Sequence, residues 1–138
     1  MKLTSKLLAA IVVSAIACAA VEAQDLRPDN VRVFMRAKLE HSQKLLEGLT
    51  VEDFDMIRKN AGKLELLSQE AAWQVLQTPE YRQRSLEFRR AAKALKEAGE
   101  NKNLDAAALA YVDVTMKCVK CHQYVRGVRS ASADDIPA

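Results

Sequence analysis

Three short stops divide the chain between residues 28 and 129 into four runs, each with apolar residues at the helical period. Pro28-Asp29-Asn30 opens the first, on which Val31, Met35, Leu39, Leu46 and Leu49 recur, with Ser42 a polar exception and Gly48 as the stop. Thr50-Val51-Glu52-Asp53 has the form of a capping box and starts the second. Its stripe is Phe54, Ile57, Ala61, Leu64, Leu67, Ala71 and Val75. Gln77-Thr78-Pro79-Glu80 ends that run and starts the third, with Thr78 as cap and Pro79 at the first helical position. The third carries Leu86, Ala91, Ala94 and Leu95 and closes at Gly99. Asn103 caps the fourth, LDAAALAYVDVTMKCVKCHQYVRGVR, which is expected to fade near Gly127, leaving residues 131–138 as a frayed tail. Nothing in these runs alternates with period two over a strand's length, so the fold class is all-α. Short links force sequential helices to run antiparallel, which predicts an up-down-up-down four-helix bundle.

The 138 residues make one small domain. With one Trp, three Tyr and three Phe, its core must be mainly aliphatic. Alanine-rich stripes let helices approach closely, or leave room for something large. Twenty-one basic residues face 18 acidic ones, without the basic excess expected of a nucleic-acid binder. The N-terminus reads as an export leader. Lys2 and Lys6 precede an apolar run over residues 7–20, and Val21-Glu22-Ala23 offers a cleavage site. Residues 1–23 are then a signal peptide, and the domain covers residues 24–130. The run is shorter than the roughly 20 apolar residues a membrane span needs. Two rival readings stand. Ala15-Ile16-Ala17-Cys18 resembles a lipoprotein box, in which a lipidated Cys18 would tether the domain to a membrane. The other is an uncleaved anchor. All three readings place the domain outside the cytoplasm.

With the leader gone, Cys118 and Cys121 are the cysteines left. A disulfide between residues three apart closes a tiny loop and gains little loop entropy. They belong to Cys118-Val119-Lys120-Cys121-His122 on the fourth helix. At about 100° per residue, Cys121 falls about 60° short of a full turn past Cys118, and His122 about 40° beyond it. All three side chains therefore leave one stripe. Two such thiols can add to the two vinyl groups of a porphyrin while the imidazole reaches its iron, which is why C-x-x-C-H is read as covalent haem attachment. Three rivals were weighed. A thioredoxin-like pair calls for a βαβ pattern, which is absent. A structural zinc needs four ligands, and His41 is the one other histidine. The third is chance occurrence.

Helix heights suggest what faces the iron on its other side. His122 lies some seven residues from the expected end of the fourth helix, about 10 Å along its axis. Met35 is at a similar height, about 8–9 Å from the start of the antiparallel first helix. A Met thioether is a known sixth ligand of c-type haem iron; an ordinary core methionine is the alternative. Phe34 beside it would wall the pocket, and Leu39 one turn on would pack. His41 stands about 17 Å up and off the stripe, and is read as a surface residue. Trp73 and Tyr111 are read as core or interface residues. Arg126, four residues after His122, either approaches a haem propionate or faces solvent. Lys117 and Lys120 are expected to be solvated, where they could help dock an acidic redox partner.

A four-helix bundle with C-x-x-C-H near its C-terminus resembles the class II c-type cytochromes, the cytochrome c′ and cytochrome c556 group. The resemblance covers about residues 31–129. The family motif continues as C-x-x-C-H-x-x-aromatic-Arg. Here Arg126 matches the Arg, whereas Val125 holds the aromatic's place and Tyr124 precedes it. The resemblance implies one covalent haem c. In the cytochrome c′ branch the residue over the iron is apolar, the iron is five-coordinate, and NO or CO can enter; in the c556-like branch a Met binds there. Phe54-Asp55 resembles the family's aromatic-Asp at the start of helix two, and counting back from it puts the distal position at Phe34 or Met35. The resemblance also allows a homodimer through helices one and two.

The expectation is an exported, periplasmic monohaem cytochrome that passes single electrons between periplasmic or membrane redox partners. No nucleophile, base pair or oxyanion site is evident, so no enzyme activity is expected. The alternatives are a five-coordinate NO- or CO-binding protein and a haem-free thiol or metal module.

Overall fold

The computed structural model describes residues 28–70 and 75–134. The leader with Cys18, the expected cleavage point, Ala71, Trp73 and residues 135–138 lie outside them. Four helices, α1 (Pro28–Thr50), α2 (Phe54–Leu67), α3 (Pro79–Glu100) and α4 (Leu104–Asp134), form the expected up-down bundle. No strand occurs among the described residues.

Local chemistry sets most of the boundaries. The Asp53 carboxylate accepts from Met56 N at 2.8 Å and caps α2. The cap is therefore Asp53 and not Thr50, whose hydroxyl donates back to the Glu47 carbonyl inside α1. Thr78 caps α3, accepting from Tyr81 N at 3.1 Å, with Pro79 in the first turn as expected. Asn103 likewise caps α4, accepting from Ala106 N at 3.0 Å. Four ends differ from expectation. The second helix stops at Leu67, because the Ser68 hydroxyl turns back to the Glu65 carbonyl. Arg89 of α3 then pins that end, donating to Ser68 Oγ at 3.1 Å and Ser68 O at 3.0 Å. The first and third helices run through Gly48 and Gly99. Neither glycine is a stop. A Cβ at Gly48 would lie 3.1 Å from Ile57 Cγ1, and one at Gly99 would lie 3.1 Å from both Ile57 Cγ2 and Arg58 N. The two glycines let α1 and α3 close on α2 with Ile57 between them. The fourth helix continues past Gly127 to Asp134, so the first residues of the expected tail, 131–134, are helical.

The core is an aliphatic and aromatic cluster. It takes Phe34 and Leu45 from α1; Ile57, Ala61 and Leu64 from α2; Tyr81, Phe88, Ala91, Ala92, Leu95 and Ala98 from α3; and Ala107, Val114 and Cys121 from α4. Full burial of a side chain such as Phe88 or Leu95 contributes about 1.5–3 kcal/mol. Packing is closest between helices adjacent in sequence, where alanine and glycine permit it. The pair that would complete the ring, α1 and α4, touches sparsely. That seam holds the site.

The α1 stripe is turned by one residue from the expected one. Phe34, Lys38, Leu45 and Gly48 face the core, whereas Leu39 and Leu46 are about half exposed. Leu39, expected to pack, instead lines the seam cavity.

Candidate cofactor site

The fourth helix buries a narrow stripe at Ala107, Val114 and Cys121, each two helical turns after the last. Cys121 is thus fixed by the same face that anchors α4. Cys118, one turn earlier, is partly buried, and the two thiols are free. His122 follows on the side that opens to the seam and to solvent.

Two cavities flank this turn. One, of about 210 Å³, is lined by Met35, Val75, Tyr81, Cys121, His122 and Arg126, with Val31, Val125 and Arg129 at its margins. The other, of about 270 Å³, is lined by Met35, Lys38, Leu39, Leu64, Cys118 and His122, among others. Met35 of α1 and His122 of α4 border both, so a thioether and an imidazole from two helices line the same seam. One thiol opens on each cavity. The fourth helix runs past residue 129 to Asp134, yet Met35 and His122 still line the same two cavities. Phe34 is buried in the core and lines neither cavity. It is not a wall of this space.

The electrostatics suit neutral ligands. Burial pushes both thiols above their ordinary pKa, against the pull of the nearby Lys38 cation. Desolvation in the seam holds His122 below its ordinary value, with the Lys38 and Arg126 cations adding to the effect. At neutral pH the site therefore presents protonated thiols and a neutral imidazole, the form that can ligate iron. A reactive thiolate pair needs the opposite, a depressed thiol pKa. No group of three or more His, Cys, Asp or Glu able to hold a metal ion occurs among the described residues.

No protein-family model matches the sequence, and no curated protein matches it. Among solved structures, the chain is similar to the crystal structure of cytochrome c′ from Thermochromatium tepidum, at 19% identity and a TM-score of 0.53. The match covers 67% of this chain and 87% of that one. The fold is that of a cytochrome c′.

Within that fold, several residues stand where the sequence did not place them. His41 is no free surface residue: it is partly buried, with Nδ1 3.0 Å from Asn60 Oδ1. Lys117 is held by Glu87 and Asp113, each at 3.7 Å, rather than solvated. Lys120 is exposed as expected. Tyr111 packs against the core and lines neither cavity. Tyr124 bonds the α3 cap, its hydroxyl 2.7 Å from Thr78 Oγ1, and carries the Arg84 guanidinium 5.3 Å above its ring.

Two residues of the site were missed. Arg129, one turn after Arg126, lines the same cavity, and the i, i+3 spacing could have found it. Lys38 is buried to 8% exposure, and its ammonium lies 3.9 Å from the centre of the Phe88 ring. Reading the α1 stripe from Phe34 instead of Val31 would have placed it inside.

Proposed function

We propose that the chain is an exported monohaem c-type cytochrome that carries single electrons. One observation carries the reading: Cys118, Cys121 and His122 share one stripe of α4, and Met35 of α1 lines both cavities that flank it. The haem would be joined to Cys118 and Cys121 by thioether bonds, with His122 as the proximal and Met35 as the distal iron ligand. The lining fits such a group. Val31, Val75, Val125, Leu39 and Leu64 supply apolar surface, and Arg126 and Arg129 are cations for its propionate carboxylates. When bound, haem supplies a one-electron Fe(III)/Fe(II) couple. The residues hold it, order the imidazole and thioether, and exclude water. A Met–His pair favours the ferrous form and raises the potential.

Residues 1–23, read as a signal peptide, support export to the periplasm, and no helix among the described residues is long and apolar enough to cross a membrane. Redox partners in the periplasm or at the membrane would meet the exposed edge near Lys120. A homodimer through α1 and α2 belongs to the same reading and is tested by sedimentation.

Absorption spectra of the purified protein, oxidised and then reduced, with and without CO, test the assignment. A low-spin reduced spectrum that CO barely alters is expected. The absence of a Soret band would end the haem reading. A high-spin spectrum that shifts with CO would make Met35 a packing residue and gas binding the function.

A further inference from the structure

The first helix places a charge where its packing calls for a hydrocarbon. Phe34, Lys38 and Leu45 form its inward stripe, and Lys38 is as buried as Phe34, both at 8% exposure. The Lys38 side chain leaves α1, borders the cavity shared by Met35, Cys118 and His122, and brings its ammonium over Phe88 of α3. Burying an ammonium is costly; the cost shows as a pKa drawn down from 10.5 to about 8, chiefly by desolvation. The Phe88 ring face beneath the ammonium, 3.9 Å from its centre, favours the charged form. A methionine or leucine would fill the same space without that penalty.

We propose that Lys38 is a built-in cation of the haem pocket, whose charge favours reduced over oxidised iron and so raises the reduction potential. The inference rests on the haem reading above. On reduction, ferric iron takes one electron from a one-electron donor and loses one unit of positive charge. A fixed positive charge close by, in a medium of low dielectric, opposes the ferric form more than the ferrous one. The placement also separates Lys38 from the propionates. It stands in the cavity with Cys118, where a vinyl group would be joined, whereas Arg126 and Arg129 stand in the other cavity. Lys38 acts on the iron through space and is a positioning charge rather than a ligand.

The test is a spectroelectrochemical titration at pH 7 of the haem-loaded protein and of Lys38→Met and Lys38→Arg. Lys38→Met is expected to lower the midpoint potential, and Lys38→Arg to keep it near the wild-type value. Midpoints are compared between proteins with matching haem content, low-spin spectrum and indifference to CO, which separates a charge effect from a displaced Met35. An unchanged midpoint in Lys38→Met overturns the proposal. Should Lys38→Met fail to take up haem, Lys38→Gln is read in its place. Amine acylation of the wild-type holoprotein, mapped by mass spectrometry, gives an independent reading. Lys38 should react far more slowly than Lys120, and equal rates would remove the burial on which the inference stands. A wild-type protein without a Soret band would sink the haem reading itself, a different result from any of these.

Discussion

Alanine scanning of the glycines separates the closed side of the bundle from its open side. All four glycines lie within helices, and none has a positive φ. Each Gly→Ala change therefore gains about 0.8–1.0 kcal/mol of helix propensity, before any contact is considered. The contacts differ sharply. A Cβ at Gly127 meets nothing within 4 Å, and one at Gly62 meets the flexible Lys96 Cδ at 3.7 Å. At Gly99 the neighbours are Arg58 N at 3.1 Å, Ile57 Cγ2 at 3.1 Å and Arg58 Cα at 3.4 Å. Two of these are backbone atoms and cannot swing aside, so α2 and α3 must move apart. Overpacking of this kind costs about 1–3 kcal/mol. Gly127→Ala should then stabilise by about 1 kcal/mol, while Gly99→Ala should be neutral or destabilise by up to about 2 kcal/mol. At about 4 °C per kcal/mol for a domain of this size, Gly99→Ala should melt about 4–12 °C below Gly127→Ala. Thermal unfolding of the haem-loaded variants by circular dichroism reads the difference, with Gly62→Ala as a second reference. Gly99→Ala melting as high as Gly127→Ala would refute the claim that glycine is needed for the α2–α3 approach.

Met35→Ala should open the iron: CO should shift the reduced spectrum of the variant but not that of the wild type, and identical spectra would reduce Met35 to a packing residue. Lys38 gives a pH dependence. Its folded pKa of about 8 lies below the ordinary value of 10.5, so between these values the unfolded chain binds more protons and stability rises with pH. The rise is on the order of 3 kcal/mol, and Lys38→Met should lack it when urea midpoints are compared at pH 7, 9 and about 10.5. Tyr124→Phe removes the hydroxyl contact to Thr78 and should cost about 1 kcal/mol. Thr78→Val also removes the α3 cap and should cost about 2 kcal/mol, so equal urea midpoints for the two variants would deny the cap its role.

The parts of the fold legible in the sequence were those set by local chemistry. Thr78-Pro79 and Asn103 start helices because a side-chain oxygen meets a free backbone N–H a few residues on. The second helix was read too long, because its apolar period continues to Val75 while the Ser68 hydroxyl and Arg89 of another helix end it at Leu67. The glycines misled for the opposite reason. Gly48 and Gly99 resemble stops, but their role is set by Ile57, which no local window relates to both. At the site, Cys118, Cys121 and His122 could be placed together from helix geometry alone, whereas Lys38 needed the fold.

The misread phase of α1 has a physical cause that bears on function. Val31, Met35 and Leu39 form the stripe read from the sequence, yet they line the seam cavities, Met35 packing against the core as well. Its core face holds Phe34, Lys38 and Leu45. A helix that packed only against protein would not place its apolar residues toward a gap. The pattern makes sense if α1 has two apolar partners, the core on one side and a large hydrophobic group on the other. The displaced aromatic of the motif fits the same division. Tyr124 is committed to Thr78 and Arg84 at the closed side of the bundle, and it is Val125 that faces the cavity beside His122. Under the proposed haem assignment the sparse contact between α1 and α4 would be the space the cofactor fills, and larger apolar side chains there would stabilise the polypeptide at the expense of haem uptake.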